Sequence, residues 1–205
     1  MQKISNLMLI KKGQGIILAL ASLLILFFAF FYISRKNYEF VLYVGVIIFF
    51  FIVILFSNKK LNYSNTSLWG LVLWAFLHMA GGSVQVNGVR LYELILIPIS
   101  STYNIFRYDQ FVHIIGFGIA TLVLYEVLKP LLKLPIKRKW AFSIIILMAG
   151  LGVGALNEIV EFTATIIVPQ TGVGGFINTM LDLVSDLIGA ILALFFILIK
   201  HPKKL

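Results

Sequence analysis

The sequence predicts an all-α bundle of about six membrane-spanning helices, and three observations carry that expectation. Hydrophobic residues fill 60% of the 205 positions and charged residues only 12%, with a mean hydropathy of +1.02, far beyond the composition of a soluble domain. The apolar residues are gathered into runs close to the roughly 20 residues a helix needs to cross a hydrocarbon core. The 17 Lys and Arg residues cluster between those runs, as topology signals do. The net charge of +9 therefore speaks for membrane orientation and against a nucleic-acid partner. With no cysteine, disulfides and thiolate metal sites are excluded, which leaves His, Asp, Glu and Asn as metal ligands.

The spans are expected at 16–34, 40–56, 67–84, 108–128, 140–166 and 178–199, in one integral membrane domain over 1–205. The first follows Lys3, Lys11 and Lys12 as a signal peptide would. Its one Ala-x-Ala candidate, Ala19-Leu20-Ala21, falls at the start of the apolar run, so the segment reads as an uncleaved span. The second is bulky Phe, Ile and Val, suited to packing, and the third holds Trp69, Trp74, His78, Gly81 and Gly82. In the long connection that follows, the apolar stretch 91–99 is too short to cross and reads as interfacial or re-entrant. The fourth span opens with Asp109 and His113 and closes on Glu126, which reads as interfacial. The fifth runs from Trp140 past Gly150, Gly152 and Gly154 to Asn157, Glu158 and Glu161, and the sixth opens with Asp182 and Asp186.

Six spans place both termini on one side. With a cytoplasmic N-terminus, the inner segments hold thirteen Lys and Arg residues, among them Lys3, Lys133, Lys203 and Lys204, and the outer loops hold Arg35, Lys36, Arg90 and Arg107. The positive-inside rule then puts both termini in the cytoplasm, for a multi-pass protein of the plasma or inner membrane. Depth follows from the helical rise. Glu158 lies about 27 Å along its helix from Trp140, near the outer edge of a core about 30 Å thick. Asp109, His113, Asp182 and Asp186 occupy the first two turns of helices entering from the same side, and His78 lies near the outer end of its own.

Spacing adds orientation to depth. Asp109 and His113, Asp182 and Asp186, and Glu158 and Glu161 are three or four residues apart, so each pair shares a helix face. Gly150 and Gly154 continue the Glu158 stripe, while Ser185 and Gly189 flank Asp186, and small residues let helices approach closely. Five carboxylates and two histidines gathered at one depth require shared protons or a bound cation. The candidate metal ligands are His78, Asp109, His113, Glu158, Glu161, Asp182 and Asp186, with Glu158 and Asp186 as candidate catalytic groups. The candidate cofactor is a divalent metal ion. The structural alternative is simple: Asp109 and Asp182 as helix caps, and His78 as a hydrogen-bonded packing residue. The stretch from Asp109 to Gly116 also parallels that from Asp182 to Gly189, as a duplicated helix pair would.

The run Arg107-Tyr108-Asp109-Gln110-Phe111-Val112-His113, then Asn157-Glu158-Ile159-Val160-Glu161-Phe162, then Asp182-Leu183-Val184-Ser185-Asp186 resembles the YjdF-like inner-membrane proteins, a family of unknown function. Leu77-His78-Met79-Ala80-Gly81-Gly82 is similar to its earlier His-Gly motif. The last stretch is also similar to the end of VanZ-like membrane proteins, some linked to glycopeptide resistance, where Asn usually takes the place of Asp186. The chain departs from the YjdF-like pattern in lacking the Trp and Gly-Asp that often precede the final Asp pair. The resemblance supplies no reaction.

Three functions remain open on sequence. One is a metalloenzyme acting on a membrane lipid or lipid-linked head group. The second is a proton- or cation-coupled transporter, which the bare inner halves of the last three spans disfavour. The third is a non-catalytic VanZ-like scaffold or resistance factor.

Overall fold

The computed structural model describes residues 10–100, 102–132 and 135–200. Lys3, Lys133, Lys203 and Lys204 of the topology count lie outside the described residues, as do the chain ends of the expected domain. Among the described residues there are six long helices: α1 (Gly15–Ser34), α2 (Tyr38–Leu61), α3 (Asn65–Ser83), α4 (Tyr108–Leu128), α5 (Lys139–Ile167) and α6 (Phe176–Lys200). The chain is a multi-pass membrane helix bundle, with almost no sheet.

Five of these helices are long and apolar enough to cross a membrane. The exception is α3, whose 19 residues include Asn65, Thr66, Ser67 and His78 in place of aliphatic bulk. Its length is nevertheless matched to that of its neighbour. At one end the Glu126 carboxylate on α4 accepts hydrogen bonds from the Ser64 N–H at 3.2 Å and the Ser67 hydroxyl at 3.1 Å. At the other end Tyr108 Oη donates to Leu77 O at 3.1 Å. Helix α3 therefore runs antiparallel to α4 over the same depth. Glu126, expected to be merely interfacial, sits at the N-terminus of α3, where a negative charge meets unsatisfied N–H groups.

Local chemistry ends each helix. Asn37 precedes α2 and accepts from Phe40 N–H at 3.2 Å, and Asn62 closes α2 in the left-handed region, the usual N-cap and C-cap roles of asparagine. A polar knot ties this second end: Asn58 Nδ2 donates to Gln14 Oε1 at 2.7 Å, and Lys11 Nζ donates to Asn58 O at 3.0 Å and to Asn62 Oδ1. The connection between α3 and α4 begins as a hairpin, β1 (Gln85–Val86) with β2 (Val89–Arg90). Its turn is Asn87-Gly88, both at positive φ, the two-residue sequence that a tight hairpin favours. The stretch 91–99 then forms a single 3-10 turn at Leu91–Glu93 and an extended segment tied back through Leu96 N–H to Phe106 O at 3.0 Å. It does not cross the bundle.

The tightest helix contact is between α4 and α6, and glycine makes it possible. A Cβ added at Gly189 would lie 2.3 Å from Ile114 O and 2.8 Å from Gly118 N, so nothing larger than hydrogen fits between the two backbones. Helix α5 enters the same seam through Gly150, where a Cβ would meet Thr121 Oγ1 at 2.2 Å and Ala190 Cβ at 3.0 Å. Below it, Tyr125, Phe142, Ile146, Leu194 and Ile197 fill one apolar cluster, while Tyr32, Phe40, Met79 and Ala164 belong to a second around α1 to α3. Gly152, on the outer side of α5, faces open space. We predict that Gly189→Ala lowers stability by about 1–3 kcal/mol, the usual cost of overpacking. Gly152→Ala should not lower it. Thermal melting in detergent, followed by circular dichroism, reads the difference, and equal midpoints for the two variants would contradict it.

Candidate metal centre

Helix α4 presents Asp109 and His113 one turn apart, α6 presents Asp182 and Asp186 in the same way, and the close α4–α6 seam brings the two pairs together. His113 Nδ1 lies 2.8 Å from Asp186 Oδ1, a buried hydrogen bond between helices. Nε2 of the same ring lies 3.8 Å from Asp109 Oδ1. Helix α5 adds Glu158, whose Oε1 is 4.0 Å from His113 Nδ1. It can do so because Gly154, one turn earlier, has no side chain: a Cβ there would lie 2.1 Å from Asp186 Oδ2.

The imidazole thus stands between two candidate ligand sets. His113, Glu158 and Asp186 form one, and Asp109, His113 and Asp182 the other; within each set one ligand atom per residue lies within 4.8 Å of the rest. The sets differ in what already satisfies them. Asn178 Nδ2 donates to Asp182 Oδ2 at 2.5 Å and Asp109 Oδ2 at 3.2 Å, and Gln110 Nε2 approaches Asp182 Oδ1 at 3.5 Å. The carboxylates of the second set therefore have neutral amide donors. In the first set, Glu158 Oε1 and Asp186 Oδ2 are buried with no hydrogen-bond partner among the described residues, in residues only 8% and 0% exposed. Unpaired acceptors at such depth carry a large desolvation cost, which a cation or a proton would remove. Asp, His and Glu residues here could hold a metal.

Two of the sequence candidates lie apart from both sets. Glu161 accepts from Asn157 Nδ2 at 2.8 Å and faces a polar chamber of about 50 Å³ that Asp109 also lines. His78 lines the same chamber from α3. Its ring stacks on Trp74 with centroids 5.4 Å apart and meets the Tyr43 edge, and its Nδ1 lies 2.5 Å from Tyr92 Oη. Burial and the Asp109 charge push the Tyr92 phenol well above its ordinary range. It keeps its proton and shares a hydrogen bond with His78 Nδ1. The structure thus uses His78 as a hydrogen-bonded wall residue beside the centre.

One acid of this region was not singled out from sequence. Glu39, buried near the start of α2, accepts from Gly172 N–H at 2.8 Å and lies 3.8 Å from Arg90 Nη1. A Cβ at Gly172 would come within 2.0 Å of the same Arg90 atom. Together they hold the α5–α6 connection against the chamber. The available signal was an acid two residues after Asn37, at the start of the second apolar run.

A family model described as "Predicted membrane protein (DUF2238)" matches residues 16–203. The chain belongs to that family. No curated protein and no solved structure matches it. The match covers the six long helices apart from Gly15, and with them the residues of both ligand sets.

Because Glu39 is the side-chain acceptor for the α5–α6 connection, Glu39→Ala should speed amide hydrogen exchange across 169–175 by roughly tenfold, as expected for loss of about 1.4 kcal/mol of local protection. Unchanged exchange in that segment would show that the contact does not hold it.

Proposed function

We propose that this protein is a membrane-embedded metalloprotein in which His113, Glu158 and Asp186 hold one divalent cation and act on a lipid or lipid-linked head group. The observation that carries the proposal is the pair of orphaned acceptors, Glu158 Oε1 and Asp186 Oδ2, beside an imidazole nitrogen. Three protein ligands leave coordination positions for water or substrate, the arrangement of catalytic rather than structural sites. A divalent ion there would supply Lewis acidity to a phosphoryl or carbonyl oxygen. In this reading Glu158 and Asp186 serve as ligands. Proton transfer falls to Asp109, which faces both His113 Nε2 and the chamber.

The distribution of Lys and Arg supports an outward-facing centre with both termini in the cytoplasm, in the plasma or inner membrane. The family match supports the YjdF-like part of the resemblance, whereas no comparison carries the VanZ-like part. Transport is the weaker reading because the seam below His113 is close-packed: Gly118 lies against Gly189, and Gly150 against Thr121.

Metal analysis of detergent-purified protein tests the proposal. We expect about one divalent ion per chain. Glu158→Gln and Asp186→Asn should weaken its affinity at least about 10–100-fold, on the scale seen even for outer-shell changes, whereas His78→Gln should leave it unchanged. Folded wild-type protein that takes up no divalent ion would sink the metal reading.

A further inference from the structure

A crevice of about 350 Å³ separates α1, α2 and α3 from α4 and α5. On α2 its wall runs from Val46 to Asn58, about 18 Å of helix at the usual rise. Among the described residues no ionisable side chain lines it, and its polar residues sit at the two ends: Gln14 and Asn58 at one, Asn157 at the other. Its volume falls in the range of ligand sites, and apolar cavities of this kind do not hold water. Four of the five helices that wall it are long and apolar enough to cross a membrane. Its surroundings are therefore hydrocarbon.

At the Asn157 end, the crevice is separated from the polar chamber by a partition one side chain thick. Asn157 lines the crevice and donates to Glu161 Oε1 at 2.8 Å, which lines the chamber. Trp74 lines the crevice and stacks on His78, which lines the chamber. Helix α5 serves both sides: Gly154 and Glu158 face the metal centre, whereas Val153, Leu156 and Val160 face the crevice. Polarity thus changes in one step from an uncharged slot to a chamber lined by Glu39, Glu93, Asp109 and Glu161 with Arg90 and Arg107. The slot itself, uncharged along its length and set among membrane helices, is complementary to an uncharged hydrocarbon chain.

We propose that the crevice holds one hydrocarbon chain of a membrane lipid. The chain site stands on the crevice alone and does not depend on the metal-centre reading.

The wall itself supplies a reporter. In a Trp69→Phe, Trp140→Phe background Trp74 is the sole tryptophan. The full-length protein is reconstituted into phosphatidylglycerol vesicles with either plain or brominated acyl chains. Trp74 emission is expected to fall about twofold with brominated chains, the loss that follows when most molecules carry one. Ala120→Phe and Val153→Phe, which fill the crevice from opposite helices, should each restore the emission while leaving metal stoichiometry as in wild type. Two variants are used so that a folding failure in one leaves the other to decide. An unquenched Trp74 in the parent protein, whether the crevice is closed or occupied by protein, overturns the proposal. So does quenching that persists in the filled variants. Loss of metal with quenching intact would refute the metal centre and leave the chain site standing.

Discussion

The hydrogen bond between His113 Nδ1 and Asp186 Oδ1 joins α4 to α6 across the buried seam of the bundle. A carboxylate in a low-dielectric setting is costly unless it is paired, and this one is paired on one oxygen only. The rest of the site follows from that imbalance. Gly118 and Gly189 bring the backbones close enough for a short side chain to reach the imidazole, and Gly154 clears room for the second carboxylate oxygen. Glu158 then arrives on the third helix with an unpaired oxygen of its own. Such a cluster is stable only when positive charge joins it. A divalent ion supplies that charge at one point, and protons would have to be shared among several acids.

The neighbouring acids show the contrasting solution. Asp109 and Asp182 are bridged by the Asn178 amide, and Asp182 is approached by Gln110 as well. Glu161 has Asn157, and Glu39 has the Gly172 N–H and Arg90. Glu158 and Asp186 have donors as well, but among the described residues each keeps one oxygen, Glu158 Oε1 and Asp186 Oδ2, without one. Those two oxygens are what the proposed ion would satisfy. The same ring of partners anchors the α5–α6 connection and the hairpin after α3 over the chamber, joining access to the centre with the order of those loops.

Much of this was legible in the sequence because membrane helices obey two simple periods. Apolar runs marked the six long helices to within about five residues at their ends, five of them long and apolar enough to cross a membrane, and the three- and four-residue spacing of acids marked which faces they share. The Gly150 and Gly154 stripe pointed Glu158 inward, as the structure has it. Depth along a helix was legible, but rotation and partner choice at that depth were not. His78 reaches the right level yet spends Nδ1 on Tyr92, a residue in a connection whose course no periodicity records. Glu161 shares a stripe with Glu158 but turns toward Asn157 and the chamber. Glu39 stayed hidden because one acid at a span edge reads as an ordinary interfacial residue. Its partner Gly172 is 133 residues away in the chain. Helix α3 shows the limit of hydropathy itself, since its match to α4 rests on hydrogen bonds at both ends.

Infrared spectroscopy can separate the two ways of neutralising the centre directly. In metal-free protein, the buried acids around His113 should show the carbonyl stretch of a protonated carboxyl group. Adding a divalent ion such as Mn²⁺ should remove that band and release protons in a wild-type sample but not in Asp186→Asn. A protonated-carboxyl band that no divalent ion alters would contradict a metal centre and assign the buried charge to protons.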